Sequence, residues 1–425
     1  MRSPFAPAVE ALAPARLGRS FRWLLASAIV TNTGDGVALA AGPLLVASQT
    51  RDPVLVSMAL LSQTLPALLF GVVAGTAADR LDRRKIVAGV NLCRAAVLAM
   101  LAATIAAGTA NIAVVLGSLF VLGTSETFAN VATSSLIPRL VPRPDLGTAN
   151  ARLQGSSLLL NQLVMPPIGA FLFAAGMAMP FASDAACYAL GALLVSRIAR
   201  DAGASAAAER RRSTIRADMS EGIRWLLAHP PMRTLALTIV AFNVTFGAAW
   251  SVLVLYANER LGMTAVGFGL LTTAIAVGGI IGMLSYGRLE RRFSLGNIMR
   301  VGLLVETVTH LVLALTTLPV VALATMVAFG THAFVWGTTS TIVRQRAVPD
   351  ALLGRVTGVY TVGIYAGMVV GTPIGGLLAR EFGITAPFWF GFVGSAVLVT
   401  LLWRQFDHIV HAGDRPTEPV EVTHP

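Results

Sequence analysis

Twelve apolar stretches of roughly 20 residues, each long enough to cross ~30 Å of hydrocarbon, follow one another from end to end of this 425-residue chain. They read as spans over 22–47, 54–78, 86–107, 111–136, 149–175, 180–199, 234–257, 264–286, 296–317, 319–343, 355–379 and 385–404. Only 12% of the residues are charged and the mean hydropathy is +0.72, whereas a soluble domain carries about 25% charged residues. A water-soluble fold is excluded. Hydrocarbon admits only helices and closed barrels, and continuous apolar runs of this length make helices. The expected fold is all-α and integral to the membrane, in twelve transmembrane helices.

The net charge of +11 is carried by arginine, with Lys85 as the sole lysine. Its distribution argues against nucleic-acid binding. Arg80, Arg83, Arg84 and Lys85 lie between spans two and three, and Arg139, Arg143 and Arg152 between four and five. Eight arginines run from Arg197, at the end of span six, through the central connection to Arg233; Arg288, Arg291, Arg292 and Arg300 follow span eight, and Arg344, Arg346 and Arg355 follow span ten. The opposite connections hold only Arg51, Arg260 and Arg380. By the positive-inside rule both termini and the central connection are cytoplasmic, with the chain multi-pass in the inner (plasma) membrane. The expected organisation is a cytoplasmic N-terminus (1–21), a six-helix bundle (22–199), a connection (200–233), a second six-helix bundle (234–404) and a polar cytoplasmic tail (405–425). Within the connection, Ile215, Met219, Ile223 and Leu226 recur at helical spacing among arginines and predict a short amphipathic helix on the cytoplasmic leaflet.

The two halves repeat. Asp79-Arg80-Leu81-Asp82-Arg83-Arg84 returns as Gly287-Arg288-Leu289-Glu290-Arg291-Arg292, Val141-Pro142 as Val348-Pro349, and Pro167-Ile168-Gly169-Ala170 as Pro373-Ile374-Gly375-Gly376. The offsets are 208, 207 and 206, in one order, which makes a parallel six-plus-six repeat.

The stretch from Gly75 through Asp79, Arg80, Asp82, Arg83 and Arg84 resembles the signature between helices two and three of the major facilitator superfamily, with Asp82 where many members carry glycine. Gly34-Asp35-Gly36, Ile137-Pro138 with Ala149-Asn150, and Glu221-Gly222-Ile223-Arg224-Trp225-Leu226 resemble the branch of the enterobactin exporters and macrolide-efflux proteins. The resemblance implies two pseudo-symmetric six-helix bundles, alternating access and proton-driven efflux of a small amphipathic molecule such as a drug or a siderophore-like metabolite. It implies that helices one, four, seven and ten surround the cavity. It also implies that Asp79 docks on the N-terminus of helix eleven and latches the bundles together on the cytoplasmic side. Pro166-Pro167-Ile168-Gly169 only partly matches the Gly-Pro-x-x-Gly-Gly signature of exchangers, so antiport does not rest on it.

Polar side chains on apolar helices turn away from lipid and mark function. Span one carries Asn32 and Asp35; span four Glu126, Asn130 and Thr133; span seven Asn243, Gly247 and Trp250; span ten His332, Trp336 and Thr339. Asp35 and Glu126 are the candidates for proton coupling, since a carboxylate that alternates between water and an occluded site can carry a proton. Asn32, Asn130, Asn243, Trp250, His332 and Trp336 are the cavity candidates. Arg94 in span three reads as the structural ion-pair partner of Glu126, and Glu306 with His310, one helical turn apart, as a structural pair. Asp184, at the start of span six, reads as a helix cap or surface residue.

The chain carries no phosphate-binding glycine loop with lysine, no metal-ligand spacing and no enzyme motif, so no cofactor and no ATP coupling are expected. The expected partners are a small-molecule substrate, the proton and the bilayer, with the chain a monomer. An uptake permease, or a transporter-like sensor or scaffold, are the alternatives that the sequence leaves open.

Overall fold

The computed structural model describes residues 14–199, 215–403 and 405. These form twelve long helices, and no strand occurs among the described residues. The first six are α1 (Gly18–Gln49), α2 (Pro53–Arg80), α3 (Arg83–Ala106), α4 (Ile112–Leu140), α5 and α6 (Met179–Ser196). Helix α5 runs as Leu146–Ser156, a wider π-helical segment Ser157–Val164, and Met165–Ala175. The second six are α7 (Pro230–Ser251), α8 (Ala265–Arg292), α9 (Leu295–Leu315), α10 (Pro319–Ala347), α11 (Asp350–Phe382) and α12 (Ala386–Leu402). Eleven are long and apolar enough to cross a bilayer, and α12 is a shorter apolar helix.

Local chemistry sets many of the helix ends. Asp52, Asp82 and Asn111 cap α2, α3 and α4 with side-chain oxygens that accept from the backbone N–H groups of Val54, Arg84 and Val114. Asp82, which departs from the family signature, is therefore the N-cap of α3. Arg84 reaches back to donate to the carbonyl of Ile198 beyond α6. At the opposite end, Arg260 donates to the carbonyls of Leu315 and Thr316, where the negative end of α9 favours a cation. This accounts for one of the three arginines outside the rich loops.

The repeat read from the sequence is repeated in packing. In the first bundle α1 packs on α5 and α6, α2 on α4, and α3 on α4 and α6. In the second, α7 packs on α11 and α12, α8 on α10, and α9 on α10 and α12. The bundles meet through α2 against α11 and α5 against α8, pairs that the repeat interchanges. Small residues make the α1–α5 and α7–α11 seams equivalent. A β-carbon at Gly169 would lie 2.0 Å from the Val37 carbonyl oxygen of α1, and one at Gly375 2.0 Å from that of Ala248 in α7.

The apolar cores show which ends of the bundles touch. One continuous core joins Leu45 and Val46 of α1, Val56 of α2 and Ala170 of α5 to Leu253, Tyr256, Phe268 and Leu271 of the second bundle, at the end remote from the arginines. At the arginine-rich end there are two separate cores. Leu17, Phe21, Leu136 and Val141 belong to one bundle, and Met232, Met299, Val343 and Val356 to the other. The molecule is closed at the arginine-poor end and divided at the arginine-rich end.

The connecting helix (Ile215–Ala228) does more than lie on the surface. Glu221 pairs with Arg355 at 2.8 Å, Gly222 abuts the Arg355 backbone and Leu226 is buried in the second core, while Ile223 and Leu227 stay exposed. The Asp79 side chain, and with it the expected latch, lies outside the described residues, as do the tail residues 406–425.

Candidate functional site

Asp35 lies midway along α1, where the flanking Gly34 and Gly36 let α6 and α5 approach closely. Its carboxylate accepts from the Tyr188 hydroxyl of α6, which accepts in turn from the Arg94 guanidinium of α3. Arg94 Nη1 is 4.0 Å from Asp35, and Arg94 Nη2 is 3.5 Å from Glu126 Oε2 on α4. The guanidinium also lies 4.8 Å from the centre of the Tyr188 ring, a cation–π contact. Four helices thus converge on one buried arginine, itself only 6% exposed.

A third carboxylate belongs to the same site. Asp184 is 2% exposed, and its Oδ1 has no hydrogen-bond partner among the described residues. It packs over Gly34, where a β-carbon would lie 2.1 Å from that oxygen. The reading of Asp184 as a cap or surface residue is corrected: α6 turns it inward against α1, and the missing side chain at Gly34 makes the room. Tyr188 went unnoticed in the sequence. The signal was the pair Asp184 and Tyr188, one turn apart on an apolar helix.

The site is open on one side. A cavity of about 320 Å³ runs from Leu24, Val87 and Ile137, near the arginine-rich end, to Asp35, Arg94 and Tyr188. Asn32 and Asn130 line it, and Asn32 also donates to Ser156 Oγ of α5 at 3.0 Å. Glu126 has 63% of its side chain exposed, although the Arg94 it pairs with is buried. The arrangement sets three carboxylates against one guanidinium, which keeps its proton under all ordinary conditions. With all four groups charged, the cluster would hold two negative charges in excess inside a membrane.

The second bundle's candidates separate into two groups. Trp250 stacks on Phe246 at 4.6 Å, and Phe246 on Phe329 at 5.8 Å, an aromatic wall on α7 and α10. Asn243 faces α11. It is buried against Gly367 of α11 and donates to the Ile239 carbonyl of its own helix. His332 and Trp336 are also buried, with ring centres 6.1 Å apart. His332 faces α9, where its Nε2 is 3.5 Å from Glu306 Oε2. His310 Nδ1 is 3.3 Å from Glu306 Oε1, so the expected pair is a group of three.

Two six-helix bundles joined at one membrane face, with a polar cavity in the first bundle open at the other, are the arrangement of a secondary transporter of the alternating-access kind. A sequence profile of the transmembrane secretion effector family matches residues 9–411, and the chain belongs to that family of the major facilitator superfamily. It is 28% identical to the multidrug efflux pump Tap of Mycolicibacterium fortuitum over 86% of this chain and 90% of Tap. It is 24% identical to the enterobactin exporter EntS of Shigella boydii serotype 4 over 93% of this chain and 96% of EntS. Its fold matches the crystal structure of the nucleoside transporter NupG with a TM-score of 0.70 at 13% identity, over 92% of this chain and 99% of that one.

Proposed function

We propose that the chain exports small amphipathic molecules across the plasma membrane in exchange for protons, working as a monomer with its arginine-rich face in the cytoplasm. The observation that carries this reading is the Asp35–Glu126–Asp184 cluster around Arg94, at the inner end of a cavity open toward the arginine-rich face. The excess of two carboxylates is costly in low dielectric unless protons or a cationic cargo offset it. A site that takes up protons when it faces one side, and releases them to bind cargo when it faces the other, exchanges the two. Asp35 and Glu126 hold the coupling roles, Asn32 and Asn130 present hydrogen-bonding groups to cargo, and the Trp250–Phe246–Phe329 wall offers flat apolar surface. Export is supported by the efflux relatives, and an amphipathic cargo by the pairing of an acidic site with an aromatic wall.

The test uses inverted vesicles carrying the protein. Acidifying their lumen should drive uphill loading of a fluorescent cationic amphipath such as ethidium, and Asp35→Asn and Glu126→Gln should each cut the pH-driven component at least tenfold. Full proton-driven loading in both variants would sink the coupling assignment. Loading only when the gradient is reversed would point to uptake instead.

A further inference from the structure

Behind the aromatic wall the second bundle encloses a titratable cluster that plays no part in the reading above. Glu306 is 0% exposed, and neither of its carboxylate oxygens has a hydrogen bond among the described residues. Its ion-pair neighbours are two imidazoles, His310 from its own helix at 3.3 Å and His332 from α10 at 3.5 Å. With its proton on Nδ1, His310 also donates to the Glu306 backbone carbonyl at 3.0 Å. His332 has neither ring nitrogen hydrogen-bonded among the described residues. We propose that Glu306, His310 and His332 form a second proton-binding site, separate from the arginine site of the first bundle.

The packing holds space for these rings. A β-carbon at Gly302 of α9 would lie 2.9 Å from His332 Nδ1, and one at Gly391 of α12 would lie 2.1 Å from His310 Cδ2. Removing two side chains to seat two imidazoles beside a fully buried acid goes beyond what filling a core requires, since leucines would do that without any polar cost. Among the described residues, the side chains that the other elements bring to the cluster are uncharged. Helix α12 presents Gly391 and Ser395, whose hydroxyl donates to the Gly391 carbonyl. The tyrosines that face α10, Tyr286 of α8 and Tyr360 of α11, are hydrogen-bonded to Thr339 and Ser340. Helix α7 presents Phe242.

The protons can be counted. A carboxylate with two neutral imidazoles leaves one uncompensated buried charge. One added proton makes the cluster neutral and a second makes it a cation. Imidazole is the side chain that changes charge between about pH 5 and 8. His332 joins this store to the cargo wall, with its ring edge-on to Phe242, Phe329 and Trp336 at 6.4, 6.3 and 6.1 Å.

Trp336 supplies the readout, because an imidazolium quenches a neighbouring indole. The purified Trp225→Phe chain, which lacks the indole stacked 4.1 Å from the His229 ring, should in lipid nanodiscs show tryptophan fluorescence that falls with acidification through one transition between about pH 5 and 8. Trp336→Phe and His332→Gln should each abolish it. Glu306→Gln should displace its midpoint by roughly one pH unit or more. Asp35→Asn, in the other bundle, should leave it in place, so this test stands even if the coupling role of Asp35 fails. A signal flat across that range in the Trp225→Phe chain, or a midpoint unmoved by Glu306→Gln in protein that elutes as a folded monodisperse species, would overturn the proposal.

Discussion

Where the first bundle carries Arg94, the second carries Gly302, 208 residues further on. Asp35 is answered at the same offset by Asn243, and Glu126 and Asp184, at an offset of 207, by Ala333 and Gly391. The helices that hold these residues pack alike in both halves, yet the buried charge differs in kind. In the first bundle a permanent cation is surrounded by acids. In the second a buried acid is surrounded by two imidazoles, which enter through the space that the glycines leave. A duplicated scaffold has thus kept its seams and divided its chemistry. The fixed charge of an arginine holds several acids together, while the conditional charge of a histidine lets a site be empty or filled.

The largest effect should come from removing the fixed charge. Arg94→Gln leaves Asp35, Glu126 and Asp184 without their shared cation, and breaking a buried pair in this way costs about 3–5 kcal/mol. Thermal unfolding in detergent should show that loss, together with the collapse of transport. Wild-type stability in Arg94→Gln would mean that the acids do not depend on the arginine. A somewhat smaller loss is expected from giving the second bundle the acid of the first. Asn243→Asp places a carboxylate in the α7–α11 seam with Gly302 where the cation should be, at a cost of about 2–4 kcal/mol. Asn243→Ala should lose only about 1 kcal/mol, the worth of one hydrogen bond to Ile239. Equal melting of the two variants would show that the seam tolerates charge, and the contrast between the bundles would fail.

Next in size are the glycines that seat the imidazoles. Gly391→Ala should cost about 2–3 kcal/mol, since its new methyl meets the His310 ring backed by Glu306, and Gly302→Ala should cost less because the approach to His332 is longer. A reversed order in thermal melts would mean that His310 moves aside more easily than His332.

The spans, the repeat and the polarity of the loops were legible because each rests on a periodic or local property: apolar length, arginine placement, a recurring loop. The Arg94–Glu126 pair was legible for a related reason, since an arginine within a span needs an acid on a neighbouring helix. What the sequence hid were facts about pairs of helices. A polar stripe shows which face turns from lipid, but two interior surfaces compete for that face. Asn243 faces α11 and His332 faces α9, although both read as lining the cavity. Asp184 depended on an absent side chain at Gly34, which no pattern within α6 reports. The freed carbonyl of Leu163 is a similar case. Pro167 cannot donate to it, and Thr273 of α8 takes the place at 3.3 Å, tying the two bundles together.

The smallest effect expected concerns that junction. The α5–α8 and α2–α11 contacts are equivalent by the repeat, and both sit at the closed end. At the second, a β-carbon on Gly376 would fall 2.3 Å from Ser57 Oγ and 2.9 Å from Val54 Cα. The Ser57 hydroxyl can rotate away at little cost, but Ser57 Cβ, also at 2.9 Å, and the backbone of Val54 cannot. Gly376→Ala should therefore weaken the closed contact by about 1 kcal/mol without altering either charge cluster. If opening one face closes the other, that shifts the population toward the opposite conformation by roughly fivefold. Spin-label distances across the arginine-rich face should report the shift as a growing short-distance fraction. Ala170, which packs on Gly269 across the other junction, supplies the control. Ala170→Val should move the same distances the same way if the two junctions act as one gate, whereas a response to Gly376→Ala alone would show that the pseudo-symmetry of the contacts does not extend to their energetics.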